Sequence, residues 1–296
     1  MILRHRFRPL GPGPNPTVMS GQPPGQHSVL VTLPEGSDAA TRYPVLYLLH
    51  GNRDRPDSVA NQRLAEEPTK GVPLIVVQPN GGRSWYSNWV TPRDLGPQNW
   101  ETFHLDQVIP LIDANLSTIP TRAGRAIAGH SMGGFGAFHY AEHRPGMFAY
   151  VGAFSGGLDL LNQEQRATVV EIELDPASGV PTVPADTIFG PPVWPLDGVW
   201  NAESPAQHVG ALGGMGVALY VGNGGDLTDN SVMAVIENRA RETNLVTAAN
   251  LFVDYGDGSA WAAGCTGKHA QLACLLADLN HFTPLIMRRL AHGGQR

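Results

Sequence analysis

The chain has 296 residues, a 42% hydrophobic and 16% charged composition, and a formal net charge of −6. Those values fit one large globular α/β domain and exclude a disordered chain; the acidic balance argues against nucleic acid or an anionic membrane as partner. No apolar run is long enough to cross a bilayer, so no stable membrane insertion is expected.

The start, MILRHRFRPLGPGPNP, is basic, but no apolar core of a signal peptide follows it. A cytoplasmic protein is therefore expected, or a secreted one if a leader has been removed. Residues 1–27 are predicted to be an extended N-terminal arm, Pro- and Gly-rich over 9–27. Residues 28–296 are predicted to form a single domain.

Apolar β-type runs follow at 28–33, 43–50, 73–79, 125–129, 149–155, 217–222 and 250–256. Several are continuous rather than alternating, as in a mostly parallel sheet covered on both faces. Helical patterns lie between them at 101–116, 133–144 and 231–244. Strand and helix alternate, which predicts a doubly wound α/β fold.

Residues 156–210 interrupt that rhythm with many Pro, Gly and acidic residues plus Trp194 and Trp200. An insert of that length is disordered or functional, and the tryptophans favour an ordered cap. Cys265 and Cys274 lack zinc-ligand companions at the usual spacing and are expected as small buried residues. The alternative is a local disulfide, which would argue for export.

The chemistry concentrates at 126-AIAGHSMGGFGAF-138. A short strand runs into Gly129-His130-Ser131-Met132-Gly133, and a small-residue helix follows. That is the pattern of a nucleophile elbow, which needs small neighbours because the turn is tight. Ser131 is the expected nucleophile; the bland alternative is a helix N-cap. A serine needs a histidine base and an orienting carboxylate, in the chain order serine, acid, histidine. Asp226 and Asp229 follow the 217–222 run, and Asp226 is preferred because Asp229 can cap the next helix. His269 and His281 are the candidate bases, with His292 in a tail. Spacing after the run that ends near Tyr255 slightly favours His269.

The segments 45-VLYLLHGNRD-54, 75-IVVQPNGGRSWYSNW-89, 129-GHSMGGFGA-137, 146-GMFAYVGAFSGGLD-159, 187-TIFGPP-192, 222-GNGGDL-227 and 236-IENRARETNL-245 resemble the esterase D-type α/β-hydrolases. Within these they resemble the actinobacterial mycolyltransferase-like (antigen 85-like) branch. The resemblance implies an α/β-hydrolase fold, a catalytic Ser131 and an acid at Asp226, where the mycolyltransferases more often have Glu. It implies that the catalytic histidine opens the last helix in an H-x-x-P-x-x-x-R-x-L pattern. His281 fits that pattern through Pro284, Arg288 and Leu290, although Thr283 and Ile286 stand where tryptophan is usual.

The oxyanion hole is expected from the backbone N–H groups of Met132 and Asn52. Arg53, Trp85, Trp89 and His130 are expected beside the substrate, with the alternative that the tryptophans only brace a loop. The resulting expectation is a serine carboxylesterase with a Ser131–His281–Asp226 triad acting on a small-molecule ester. No metal or organic cofactor is implied. An acyltransferase and a non-catalytic binding member of the fold are the rivals.

Overall fold

The computed structural model describes residues 2–7, 27–176, 182–221, 260–263 and 271–292. The strands are β1 (Ile2–Phe7), β2 (His27–Thr32), β3 (Val45–Leu49), β4 (Ile75–Pro79), β5 (Arg125–His130), β6 (Tyr150–Phe154), β7 (Gly216–Tyr220) and β8 (Ala260–Ala263). They form one eight-stranded sheet in the order β1-β2-β4-β3-β5-β6-β7-β8. β2 pairs antiparallel with both β1 and β4. From β4 across to β8 every pairing is parallel.

Continuous apolar strands are buried on both faces. In β3, Val45, Tyr47 and Leu49 enter one core, while Leu46 and Leu48 enter the other. The first core is covered by helices α2 (Trp100–Phe103), α3 (Ile109–Asn115) and α4 (Met132–His143). The second is covered by α1 (Val59–Glu66) and α7 (Leu272–Arg289). The sheet order with its two-sided cover is the α/β-hydrolase topology, as expected.

Several expectations are adjusted. The helix read over 101–116 runs from Trp100 to Asn115, with a π turn at His104–Val108 just ahead of Pro110. Proline has no N–H for the regular ladder, so the helix changes its bonding there. Ile2–Phe7 extends the sheet as an edge strand. β8 pairs with β7, closing the parallel run at 260–263; the run at 250–256 and the helix at 231–244 lie outside the described residues. The last helix begins at Leu272, so His281 and Pro284 lie within it rather than in its first turn. Its buried stripe, Leu275, Leu279, Phe282 and Ile286, starts before His281 and sets that boundary. Cys274 is buried and disulfide-bonded, so the local bridge replaces the free thiol expected there; Cys265 lies outside the described residues.

The insert carries α5 (Gln163–Leu174) and α6 (Gly198–Ala202). Trp200 is buried, donates to the Gly190 carbonyl at 2.8 Å, and lies 5.3 Å from the Arg166 guanidinium. Arg166 in turn pairs with Asp197 at 2.6 Å. Trp194, by contrast, is 84% exposed. Only one of the two tryptophans therefore anchors the insert.

Candidate active site

The chain passes from β3 to β4 on one side, then crosses to β5 on the other side of β3. The carboxyl ends of β3 and β5 therefore flank a topological switch point, where open α/β sheets form their binding crevices. Ser131 leaves the end of β5, and His50-Gly51-Asn52 leave the end of β3.

Ser131 has φ +55° and ψ −117°. A non-glycine residue in that conformation is strained and is held only by its surroundings. Its N–H donates to the Phe154 carbonyl at 2.9 Å, and its own carbonyl accepts from Gly134 and Phe135 at 2.9 and 3.1 Å. Its side chain makes no capping hydrogen bond to α4, so the N-cap alternative does not describe it. The flanking glycines are required by contact. A Cβ on Gly129 would sit 2.2 Å from the Gly133 carbonyl oxygen, and one on Gly133 would sit 2.2 Å from the Leu49 carbonyl oxygen. The second contact presses the first turn of α4 against the end of β3. Met132 is the first residue of α4, where N–H groups have no partner within the helix and carry the positive end of its dipole.

The loop after β3 is locked by its neighbours. His50 is buried, and its Nε2 accepts from the Gly81 N–H at 2.9 Å. That leaves Nδ1 to donate to the Gly51 carbonyl at 2.8 Å. Burial lowers the His50 pKa and keeps the ring neutral in this tautomer. The Tyr86 hydroxyl donates to the His50 carbonyl at 3.0 Å. The His130 ring packs close to Gly51, where an added Cβ would lie 2.9 Å from Nδ1.

Trp85 and Trp89 are buried at 3% and 6% exposure. Trp85 packs edge-on to Phe135, and its backbone N–H approaches the Met132 sulfur at 3.3 Å. Trp89 Nε1 donates to the Ser84 carbonyl at 3.0 Å. Of the two roles expected for this segment, bracing is the one these contacts describe.

The sequence reading missed a buried acid in the insert. Glu173, near the end of α5, pairs with Arg83 Nε at 3.0 Å, and both side chains are at most 3% exposed. Glu173 Oε1 also accepts from Trp85 Nε1 at 2.9 Å and from the Asn52 side-chain amide. Two residues on, Asp175 pairs with Arg53, which has φ +63°. Asn52 and Arg53, expected to serve the oxyanion and the substrate, are thus tied through their side chains to the insert. Burial pushes the Glu173 carboxyl up to about 7, against the pull of Arg83 and its hydrogen bonds. The signals were the acidic 171-EIELD-175 run and the arginine in 81-GGRSW-85. Nothing in either stretch identifies the other as its partner.

The third part of the site is described on one side only. Asp226, Asp229 and His269 lie outside the described residues. His281 is exposed on α7, and its Nδ1 lies 3.0 Å from the Tyr220 hydroxyl. Tyr220 ends β7, two strands from β5 at the same edge of the sheet. No described helix is long and apolar enough to cross a membrane.

The Esterase family matches residues 20–264 of the chain. Esterase Rv1288 of Mycobacterium tuberculosis (strain ATCC 25618 / H37Rv) is 37% identical over 201 residues, covering 67% of this chain and 43% of its own length. Diacylglycerol acyltransferase/mycolyltransferase Ag85A of the same strain is 33% identical over 216 residues, covering 68% of this chain and 61% of its own. The chain thus spans less than two thirds of either relative. Among solved structures, Mycobacterium tuberculosis MPT51 (FbpC1) aligns at a TM-score of 0.72 and 20% identity, over 95% of this chain and 100% of that one. The Staphylococcus aureus fluorophosphonate-binding serine hydrolase FphF aligns at 0.68 and 18% identity, over 97% and 98%. At those identities the structures establish the fold. The family and the mycolyltransferase-like branch anticipated from the sequence are both met.

Proposed function

This chain belongs to the Esterase family, and from that premise we propose that it is a serine carboxylesterase working through an acyl-enzyme on Ser131. The observation that carries the reading is the strained Ser131 backbone at the switch point of the sheet.

In this mechanism Ser131 Oγ attacks the ester carbonyl while a histidine takes its proton. The carbonyl oxygen becomes an oxyanion, stabilised by the backbone N–H groups of Met132 and Asn52. The histidine then protonates the leaving alcohol, and the acyl-enzyme remains. Water, deprotonated by the same histidine, releases the acid and regenerates Ser131. Asp226, in the segment after β7, fixes the imidazole tautomer.

The histidine has two candidates, and the helix boundary favours His269. In this fold the base follows the last strand. β8 ends at Ala263 and α7 starts at Leu272, and His269 is the histidine of the intervening sequence. His281 lies nine residues past the start of the helix and is engaged with Tyr220.

The test is hydrolysis of p-nitrophenyl esters from acetate to palmitate by wild type, Ser131→Ala, His269→Ala and His281→Ala. Loss of turnover in the first two variants, with His281→Ala active, is expected. Loss in His281→Ala alone restores the motif-based choice. A folded wild type that is inert on every ester, and unlabelled by a fluorophosphonate, favours a non-catalytic binding member.

A second reading is acyl transfer to a hydroxyl other than water. The identity with Ag85A favours it, and so does the disulfide at Cys274, which suits an oxidising compartment better than the cytoplasm. Product analysis with diacylglycerol or a sugar alcohol as competing acceptor separates transfer from hydrolysis.

A further inference from the structure

Away from the nucleophile, α4 carries His139 and His143 one turn apart on the same face. Glu101 of α2 reaches both. Its Oε2 lies 3.3 Å from His139 Nε2, and its Oε1 lies 2.9 Å from His143 Nδ1. Glu203, which ends α6 in the insert, places Oε2 3.3 Å from His139 Nδ1. One ligand atom from each of Glu101, His139 and His143 falls within 4.8 Å of the others.

We propose that Glu101, His139 and His143 bind a divalent transition-metal ion of the zinc class, with Glu203 orienting His139.

Four features support the site. First, bonds of about 2.0–2.1 Å to a tetrahedral ion place its ligand atoms about 3.3 Å apart; Glu101 lies 3.3 Å from His139 and 2.9 Å from His143, and one ligand atom of each residue lies within 4.8 Å of the others. Second, His139 is 1% exposed, and its Nε2, although 3.3 Å from Glu101 Oε2, makes no well-formed hydrogen bond. A buried ring nitrogen without such a bond is costly, and a metal bond satisfies it. Third, a ligating imidazole commonly directs its other nitrogen to a carboxylate, as His139 Nδ1 faces Glu203. Stacking on Phe135 at 5.3 Å fixes the plane of the same ring. Fourth, with both imidazoles neutral the cluster carries two negative charges on partly buried carboxylates, which a divalent cation balances.

His139 lies eight residues from Ser131 along α4, about 12 Å at the helical rise. The ion therefore acts on architecture. It joins the helix that bears the elbow to α2, and through Glu203 to the insert. The HYAEH run at 139–143 is the trace of the site in the sequence, where no metal was expected.

The experiment uses the full chain, stripped with a chelator and titrated with Zn2+ by calorimetry and with Co2+ by visible absorption. One equivalent of Zn2+, Co2+ bands of a low-coordinate site, and a Tm higher by several degrees are expected. His143→Ala, at the 33% exposed edge of the cluster, is expected to keep its far-UV spectrum and lose stoichiometric uptake. Glu203→Gln is expected to weaken binding about 10- to 100-fold. A wild type that takes up no Zn2+ and shows no Tm change overturns the proposal, and so does a His143→Ala variant that binds Zn2+ like wild type.

Discussion

Trp85 Nε1 donates to Glu173 Oε1 at 2.9 Å across 88 residues of sequence. Through this bond, and those of Asn52 and Arg83 to the same carboxylate, the insert supports both loops beside Ser131. Glu173 touches no reacting atom and is a positioning residue. Glu173→Ala leaves Arg83 buried without its counter-charge and is expected to cost about 3–5 kcal/mol. Glu173→Gln keeps an acceptor for Trp85 and is expected to fold. Its kcat should fall about tenfold with KM little changed, as an amide nitrogen in place of Oε2 cannot pair with Arg83 and the loop that Arg83 anchors loosens. Steady-state kinetics with a soluble ester, alongside urea denaturation, checks both.

The same residue sets a pH dependence. Glu173 holds its proton up to about 7 in the folded chain and near 4.5 otherwise. Between those values the folded state binds a proton that the unfolded state lacks, so stability declines as pH rises through the window. Asp278, pushed by burial to about 7, acts in the same direction. The readout is therefore a difference: Tm from pH 4.5 to 7 should fall less steeply in Glu173→Gln than in wild type.

Strain at Ser131 predicts a trade between stability and activity. Glycine adopts φ +55° without penalty, so Ser131→Gly is expected to gain about 1 kcal/mol while losing all turnover. Calorimetry and fluorophosphonate labelling on the same preparation test the pair of outcomes.

Close approach makes Gly133 intolerant. An added methyl meets the Leu49 carbonyl at 2.2 Å, and neither backbone can yield without moving β3 or α4. Gly133→Ala is expected to lower soluble yield and abolish activity. Gly146→Ala, with open space around the added atom, is expected to match wild type in Tm and kcat.

Tyr220 and His281 form a part-buried hydrogen bond at 3.0 Å, between a buried tyrosine and an exposed histidine. His281→Ala is expected to cost about 1 kcal/mol or less and to leave kcat within about threefold. Chemical denaturation and ester hydrolysis of this variant against His269→Ala provide the check.

Much of this protein was legible along the chain because the relevant physics is local. Apolar runs of five to eight residues, several of them continuous, mark β2 to β7, since these strands are buried. The elbow was legible because its steric demand falls on Gly129 and Gly133, within two positions of Ser131. β8 was not, because Ala260–Ala263 is four residues long and mostly alanine. The start of α7 is not marked by the motif at His281, because the helix follows the apolar stripe that begins at Leu275.

By itself, then, the sequence determined the strand–helix alternation, the tight turn at Ser131 and the esterase resemblance. The first two rest on side-chain periodicity and sterics between near neighbours, and the third on motifs shared with a known family. Only the tertiary structure decided that Glu173 meets Asn52, Arg83 and Trp85, that Glu101 and Glu203 close on His139, and that His281 turns to Tyr220. Those groups come from separate segments, and a buried charge or ring nitrogen finds its partner only once the sheet order and the insert bring them within about 3 Å.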